Sequence, residues 1–191
     1  MNESEIDLLI SQSSGNLRDN ALFHVALATG FRVSDLVNLK VTDVVNAGSV
    51  VKSLKIRMVK TGKIVERALP DTCRKSIERY VHNRIDGGPF LFRPESTNHN
   101  NDNGPMNRSS IHRIVKNYLS QIYPPDTLIG NACHVTRRSI AQIISQKCGR
   151  IEPASRFLGH TSVANTIKYL DCDKFNGDAN DAVLSMPWNS I

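Results

Sequence analysis

No stretch of this 191-residue sequence approaches the roughly 18 to 20 consecutive apolar residues that a membrane-crossing helix needs. The first five residues, Met-Asn-Glu-Ser-Glu, are polar and acidic and do not form a secretory signal. Cysteine is sparse: Cys73, Cys133, Cys148 and Cys172 are widely spread and no two form a Cys-x-x-Cys pair. Such spacing suits reduced thiols in a reducing compartment, so a cytoplasmic location is expected. Cys133 adjoins His134, but no second pair has ligand spacing, so neither a metal nor a cofactor is expected. There is no internal repeat and no strong excess of one charge. Lys plus Arg is 24 against 18 for Asp plus Glu, giving +6, a weak pointer to a polyanionic partner. What is present is a hydrophobic fraction of 40%, enough for an ordinary core in one domain, or in one domain with a small appendage.

The periodicity predicts a mostly α chain. Asn2 and Glu5 form a capping-box pattern ahead of a helix over about residues 3 to 13. A second helix runs from Leu17 to about Ala28 and ends at Gly30. A short third helix carries Arg32 to Asn38. Leu54, Ile56 and Met58 alternate with Lys55, Arg57 and Val59, the period of a half-buried strand. Lys60-Thr61-Gly62-Lys63 is a tight turn and Ile64 to Leu69 the returning strand. Pro70-Asp71 opens a helix with Ile77, Tyr80, Val81 and Ile85 on its buried stripe. Phe90-Leu91-Phe92 is a candidate third short strand, and Asn98 to Gly104 a mobile surface loop. Asn107 caps a helix with Ile111, Ile114, Val115, Tyr118, Leu119 and Ile122 at helical spacing, closed by Pro124-Pro125. Thr136 to about Lys147 is helical, with Ile140, Ile143 and Ile144 inward, and shorter helices run from Pro153 to Leu158 and from Ser162 to Leu170. The expected fold is therefore α+β: a helical bundle with a small antiparallel hairpin or three-stranded sheet.

Two arginines, two histidines, a lysine and a tyrosine then fall in a suggestive order. Arg32 follows the glycine that ends a helix, and Asp35, three residues on, shares its helical face and can orient the guanidinium. Lys60 stands at the hairpin tip. His134 and Arg137 are three apart at a helix start, so both can face one anion. His160 follows Gly159 at another helix start, where backbone amides favour negative charge. Tyr169 comes nine residues later. Cutting and later resealing a DNA strand without ATP requires a covalent phosphoryl intermediate, and a phenol is a suitable nucleophile and leaving group. Arginine forks match the non-bridging oxygens of the transition state. A lysine can protonate the departing sugar oxygen, and a histidine can take the phenol proton. Singly, each residue has an ordinary reading: a part-buried tyrosine, an Arg32–Asp35 surface pair, a hydrogen-bonded histidine. The joint order carries the assignment.

The motifs Thr-Gly-Phe-Arg-Val-Ser-Asp-Leu at 29 to 36, Lys-Thr-Gly-Lys at 60 to 63, His-Val-Thr-Arg-Arg at 134 to 138, and Leu-Gly-His at 158 to 160 with Tyr169 resemble the catalytic domain of the tyrosine recombinase (phage integrase) family. The resemblance spans roughly residues 4 to 170. It implies attack of Tyr169 on a scissile phosphate, leaving a 3′-phosphotyrosine and a free 5′-hydroxyl. Arg32, Arg137 and His160 would bind the phosphate, Lys60 would be the general acid, and His134 would assist proton transfer. Lys60 is preferred to Lys52, Lys55 and Lys63 because it begins the turn, as the family's lysine does. Thr136 stands where the family usually has a large apolar residue. The resemblance also implies double-stranded DNA as partner, a homo-tetramer on paired sites, and a nucleoid-associated cytoplasmic protein. Arg138, Lys63, Arg67, Arg108, Arg113 and Lys116 are candidates for the DNA face, although solvated charges explain each as well.

Residues 1–170 are expected to form the catalytic domain and 171–191 a C-terminal tail. In that tail Ala182, Val183 and Met186 can anchor a short segment, Asp181 to Met186, on a neighbouring protomer or on its own domain. Most family members add an N-terminal helical domain, whereas this sequence starts almost at the catalytic domain, as a fragment would, or a short member that inverts or resolves DNA. Two other readings stay open at this point: a DNA-binding accessory protein of the same fold without activity, and a type IB topoisomerase.

Overall fold

The computed structural model describes residues 1–94, 104–124, 134–167 and 170. Among these, thirteen elements follow one another, nine of them helical and four of them short strands. The first helix, α1 (Glu3–Ser13), starts at the expected capping box: Asn2 Oδ1 accepts the Glu5 amide at 2.9 Å and Glu5 Oε2 accepts the Asn2 amide at 2.7 Å. The long α2 (Leu17–Thr29), capped by Asn16, is buried along most of its length and packs against α1, α5 and α7. Ala21, Leu22, Phe23 and Val25 make it the axis of the main core. Asn20 belongs to a buried polar link, donating to the Ile10 carbonyl and Ser13 Oγ while its own oxygen accepts from Ser76 Oγ at 2.7 Å. Every polar atom brought inside there finds a partner, which removes the cost of its burial.

Gly30 ends α2 with φ +61°, a left-handed conformation that glycine adopts without strain. The chain then makes α3 (Val33–Val37) and α4 (Val41–Val44), and a two-residue turn with positive φ at Ala47 and Gly48 joins β1 (Val45–Asn46) to β2 (Ser49–Val50). Neither α4 nor this small hairpin was expected, because four- and two-residue elements are too short to set a period. The expected hairpin is present as β3 (Ser53–Arg57) and β4 (Ile64–Ala68), antiparallel, with Leu54 opposite Arg67 and Ile56 opposite Val65. Leu54 and Met58 point inward and are fully buried.

Phe90 to Phe92 does not join that hairpin. It makes one bridge, Lys40 with Phe90, and the Leu91 amide donates to the Leu39 carbonyl at 2.7 Å, so the described strands form two two-stranded sheets rather than one of three. Leu91 and Phe92 are nevertheless core residues, and Phe92 stacks on Tyr80. Helix α5 (Asp71–His82) buries Cys73, Ser76, Ile77 and Tyr80 as the stripe required, but it stops at His82. Ile85 therefore leaves the helical period and is fully exposed, not buried. Arg84 holds the following turn instead, through Asp86 and the carbonyls of Gly88 and Phe90.

Helix α6 (Arg108–Leu119), capped by Asn107, buries Ile111, Val115 and Leu119, and Tyr118 sets its ring edge-on to Phe23. Helix α7 (Val135–Cys148) differs from expectation. Its buried face is Thr136, Arg137, Ser139, Ala141 and Ser145, while Ile140, Ile143 and Ile144 are only half-buried. The inward serines are satisfied by backbone, Ser139 Oγ donating to the Val135 carbonyl at 2.8 Å and Ser145 Oγ to the Arg150 carbonyl at 3.3 Å. Helix α8 (Glu152–Leu158) ends at Gly159, φ +66°, and α9 (Val163–Ile167) follows. Ala141, Ala154, Leu158 and Leu170 form a second, smaller core under these helices. Among the described residues no helix is long and apolar enough to cross a membrane. The expectations for residues 98–103, Pro125, Cys133, Tyr169, and the tail 171–191 with Cys172 lie outside the described residues.

Candidate active site

Arg32 sits at the start of α3, two residues past the Gly30 turn. Thr29 Oγ1 donates to the Val25 carbonyl and accepts the Phe31 amide, which fixes the turn between them. Asp35 is 2% exposed, and both its oxygens go to backbone: one accepts the Arg32 amide at 3.1 Å, the other the Val59 amide at 2.8 Å. The carboxylate therefore does not orient the Arg32 guanidinium, as its three-residue spacing suggested. It ties the start of α3 to the end of β3 instead. Arg32 Nη1 is buried and has no hydrogen-bond partner among the described residues, which leaves it a donor for an anion.

Lys60 is exposed at the tip of the hairpin, where the Gly62 amide donates to the Met58 carbonyl and the Met58 amide to the Lys63 carbonyl. Lys60, Arg32 and His134 line one open cleft of about 440 Å³, together with Val33 and Ser34 and, from α6, Arg108, Ser109 and His112. His112 and Ser109 were not foreseen. The signal was available as Arg108 and His112 four residues apart on one helical face, but nothing in the sequence says which face meets the cleft.

Arg137 is 2% exposed. Its Nη1 donates to the Gly30 carbonyl and its Nη2 to the Leu158 carbonyl at 2.6 Å, so one guanidinium fastens the turn before Arg32 to the helix end before His160. Nη2 also lies 3.4 Å from His160 Nε2. On the other side of the ring, His160 Nδ1 lies 2.9 Å from Thr166 Oγ1. Burial lowers the His160 pKa to about 4, helped by the charges of Arg137, Arg32 and Lys60. His134 is lowered by burial too, then by Arg137, Arg138, Arg32 and Lys60. Both imidazoles are thus neutral near pH 7, and both sense the same cations. Arg32, Lys60, His134, Arg137 and His160, scattered over the sequence, converge on one region. It is a place that can hold a phosphate, accept one proton and donate another.

The charges expected on a DNA face divide. Lys63, Arg108, Arg113, Lys116 and Arg138 are exposed, and Arg108 borders the cleft itself. Arg67 is partly buried against Phe157, its Cζ 4.8 Å from the ring centroid, and it donates to the Phe157 carbonyl. Among the described residues no three His, Cys, Asp or Glu side chains come together to hold a metal ion.

Tyrosine recombinase XerA of Pyrococcus horikoshii is 29% identical over 171 residues, covering 88% of this chain and 55% of that protein. The crystal structure of XerA recombinase superposes with a TM-score of 0.71 at 25% identity, over 90% of this chain and 59% of that one. A structure of the XerH site-specific recombinase bound to difH substrate gives 0.70 over 97% of this chain and 54% of that one; at 16% identity this speaks to the fold alone. The chain spans about half the length of the curated relatives it matches. A profile of the phage integrase family matches residues 1–175, and the chain belongs to that family.

Proposed function

We propose that this chain is the catalytic domain of a site-specific DNA recombinase that cuts and rejoins double-stranded DNA through Tyr169. The observation that carries the reading is Arg137: one buried guanidinium bonded to the carbonyls of Gly30 and Leu158, which draws the segments of Arg32 and His160 around a single point beside the cleft of Lys60 and His134. The recombinase names of the relatives and the match to the phage integrase family support DNA as the polymer.

In this reading a phosphodiester enters the cleft and its non-bridging oxygens meet Arg32, Arg137 and His160. The phenol oxygen of Tyr169 bonds to phosphorus and the P–O5′ bond breaks. The phenol proton passes to His134, which is neutral and so able to take it. Lys60 gives its proton to the leaving O5′. The products are a 3′-phosphotyrosine and a free 5′-hydroxyl, and attack by a 5′-hydroxyl from another strand reverses every transfer and seals the new junction. Arg138, Lys63, Arg108, Arg113 and Lys116 supply charge to flanking phosphates. Paired sites call for a homo-tetramer acting in the cytoplasm on the nucleoid.

The test is covalent trapping. The protein is incubated with nicked suicide duplexes tiled across the DNA on either side of its own gene, and the products are run on a denaturing gel. An adduct that is absent with Tyr169→Phe supports the reading; an adduct that persists with Tyr169→Phe assigns the wrong nucleophile. Relaxation of any supercoiled plasmid without site preference would point to topoisomerase action. Retarded bands with no adduct would make the chain a binding protein.

A further inference from the structure

Arg67 was expected among the outward charges, and its surroundings give it another employment. It lies on β4 opposite Leu54, and its guanidinium turns onto the end of α8. Nη2 donates to the Phe157 carbonyl, Nη1 to the Glu66 carbonyl at 2.7 Å, and Cζ lies over the Phe157 ring, 4.8 Å from its centroid. Nε is buried with no hydrogen-bond partner among the described residues, and burial lowers the pKa of the group. Phe157 in turn presses on the Gly30 turn, where an added Cβ would lie 2.7 Å from Phe157 Cε1. A second contact runs in parallel: a Cβ at Gly159 would lie 3.1 Å from the sulfur of Met58, two residues before Lys60. The hairpin thus touches the α8 end at Phe157 and at Gly159, and Phe157 touches the turn that leads to Arg32.

This arrangement meets a physical need. A two-stranded hairpin is marginal on its own, and this one carries Val59 and Ile64 exposed near its tip. Core contacts at Leu54 and Leu69 hold its base, and Asp35 holds the Val59 amide. Neither relates the hairpin to the His160 segment. Arg67 does, through a guanidinium that lies over the Phe157 ring while donating to two carbonyls, a forked geometry that an ammonium does not reproduce.

Resting on the cleavage reading above, we propose that Arg67 is a positioning residue for Lys60, fixing the hairpin against Phe157 so that the lysine reaches the leaving oxygen while His160 and Arg32 hold the phosphate. A displacement of about 1 Å in a proton donor is enough to cost on the order of a hundredfold in rate.

The experiment compares the wild-type chain with Arg67→Ala, Arg67→Lys and Phe157→Leu on the tiled suicide duplexes, once with the natural 5′ oxygen and once with a 5′-bridging sulfur at the cut. A thiolate leaves without needing a proton, so a misplaced Lys60 matters only for oxygen. The expected result is a loss of at least about tenfold on the oxygen substrate for Arg67→Ala and Arg67→Lys alike, with a smaller loss for Phe157→Leu. The sulfur substrate should restore most of the rate, and DNA affinity should stay within about twofold of wild type at one fixed salt concentration. Amide exchange in residues 58–63 and 157–160 should accelerate in Arg67→Ala while α2 stays protected. Wild-type rates for Arg67→Ala overturn the proposal. So does an equal loss on both substrates, which would mean the whole site has collapsed. Near-normal cleavage by Arg67→Lys with weakened binding by Arg67→Ala overturns it in favour of a phosphate contact. Unchanged exchange in both segments overturns it without reference to activity. Absence of adduct from the wild-type chain on either substrate overturns the cleavage reading and this role with it, whereas wild-type adduct with an unimpaired Arg67→Ala overturns this role alone.

Discussion

The Asp35 carboxylate accepts the Val59 amide at 2.8 Å, joining the start of α3 to the end of β3 across 24 residues of sequence. Because its other oxygen caps the Arg32 amide, one buried side chain sets the spacing between Arg32 and the hairpin that carries Lys60. Asp35→Ala leaves two amides without their acceptor, and each such loss costs about 1 to 3 kcal/mol when the group stays buried. Urea unfolding of Asp35→Ala should show a loss in that range or above it. Asp35→Asn keeps one accepting oxygen and should lose less. Equal stability of Asp35→Ala and wild type would show that water replaces the carboxylate at both amides.

Arg32 and Arg137 should separate by stability although both are read as phosphate ligands. Arg32 Nη1 has no hydrogen-bond partner among the described residues, so Arg32→Ala should retain the thermal midpoint within a few degrees and lose about a hundredfold or more in adduct formation. Arg137→Ala leaves the carbonyls of Gly30 and Leu158 without their donor and should lose both cleavage and stability. A loss of less than tenfold in cleavage for both variants would rule out a two-arginine clamp.

Which parts of this were legible in the sequence follows from the range of the interaction concerned. The capping box of α1, the glycine stop of α2, the period of β3 and the Ile111, Val115 and Leu119 stripe of α6 are set by neighbours within a few residues and were read correctly, whereas Ile122 lies past the end of α6 at Leu119. Ile85 was misplaced because the stripe of α5 was carried past the point where the helix stops. Asp35 was assigned to the guanidinium of Arg32 because spacing shows a shared face, whereas the partner chosen, Val59, comes from a different element. Arg67 illustrates the same limit: a charged residue on a strand reads as solvated until the ring that covers it is known. The inward face of α7 was expected to be isoleucine, and it carries Arg137, bonded to two carbonyls of other elements, with Ser139 and Ser145 bonded to nearby carbonyls of the chain. The gathering of Arg32, Lys60, His134, Arg137 and His160 was read from their joint order and from the family resemblance, because no single spacing relates residues so far apart.

His160 gives the pH dependence a definite sign. In the unfolded chain its ring gains a proton as pH falls through 6.5, whereas in the folded chain it stays neutral until about 4. Its contribution is therefore fully present above pH 6.5 and is lost progressively as pH falls toward 4. His134 shifts in the same direction. Urea midpoints measured from pH 7.5 down to 4.5 should fall, and His160→Gln, which cannot titrate, should flatten part of that fall. An unchanged slope in His160→Gln would place the acid sensitivity elsewhere.

Gly30 and Gly149 allow backbone strain to be separated from crowding. Both take positive φ, +61° and +65°, so alanine at either costs about 1 kcal/mol for the left-handed conformation. At Gly149 nothing lies within 4 Å of an added Cβ, so Gly149→Ala should show only that cost. At Gly30 the added carbon would lie 2.7 Å from Phe157 Cε1, and the same ring carries the Arg67 guanidinium, its Cζ 4.8 Å from the centroid. It cannot retreat without releasing the hairpin, so Gly30→Ala should be destabilised by at least about 1 kcal/mol more than Gly149→Ala and should also cleave more slowly. In an Arg67→Ala background the ring is freer to move, and the additional stability cost of Gly30→Ala should shrink. A double-mutant cycle in urea measures that coupling directly. Strict additivity would mean that Arg67 does not hold Phe157 against the turn.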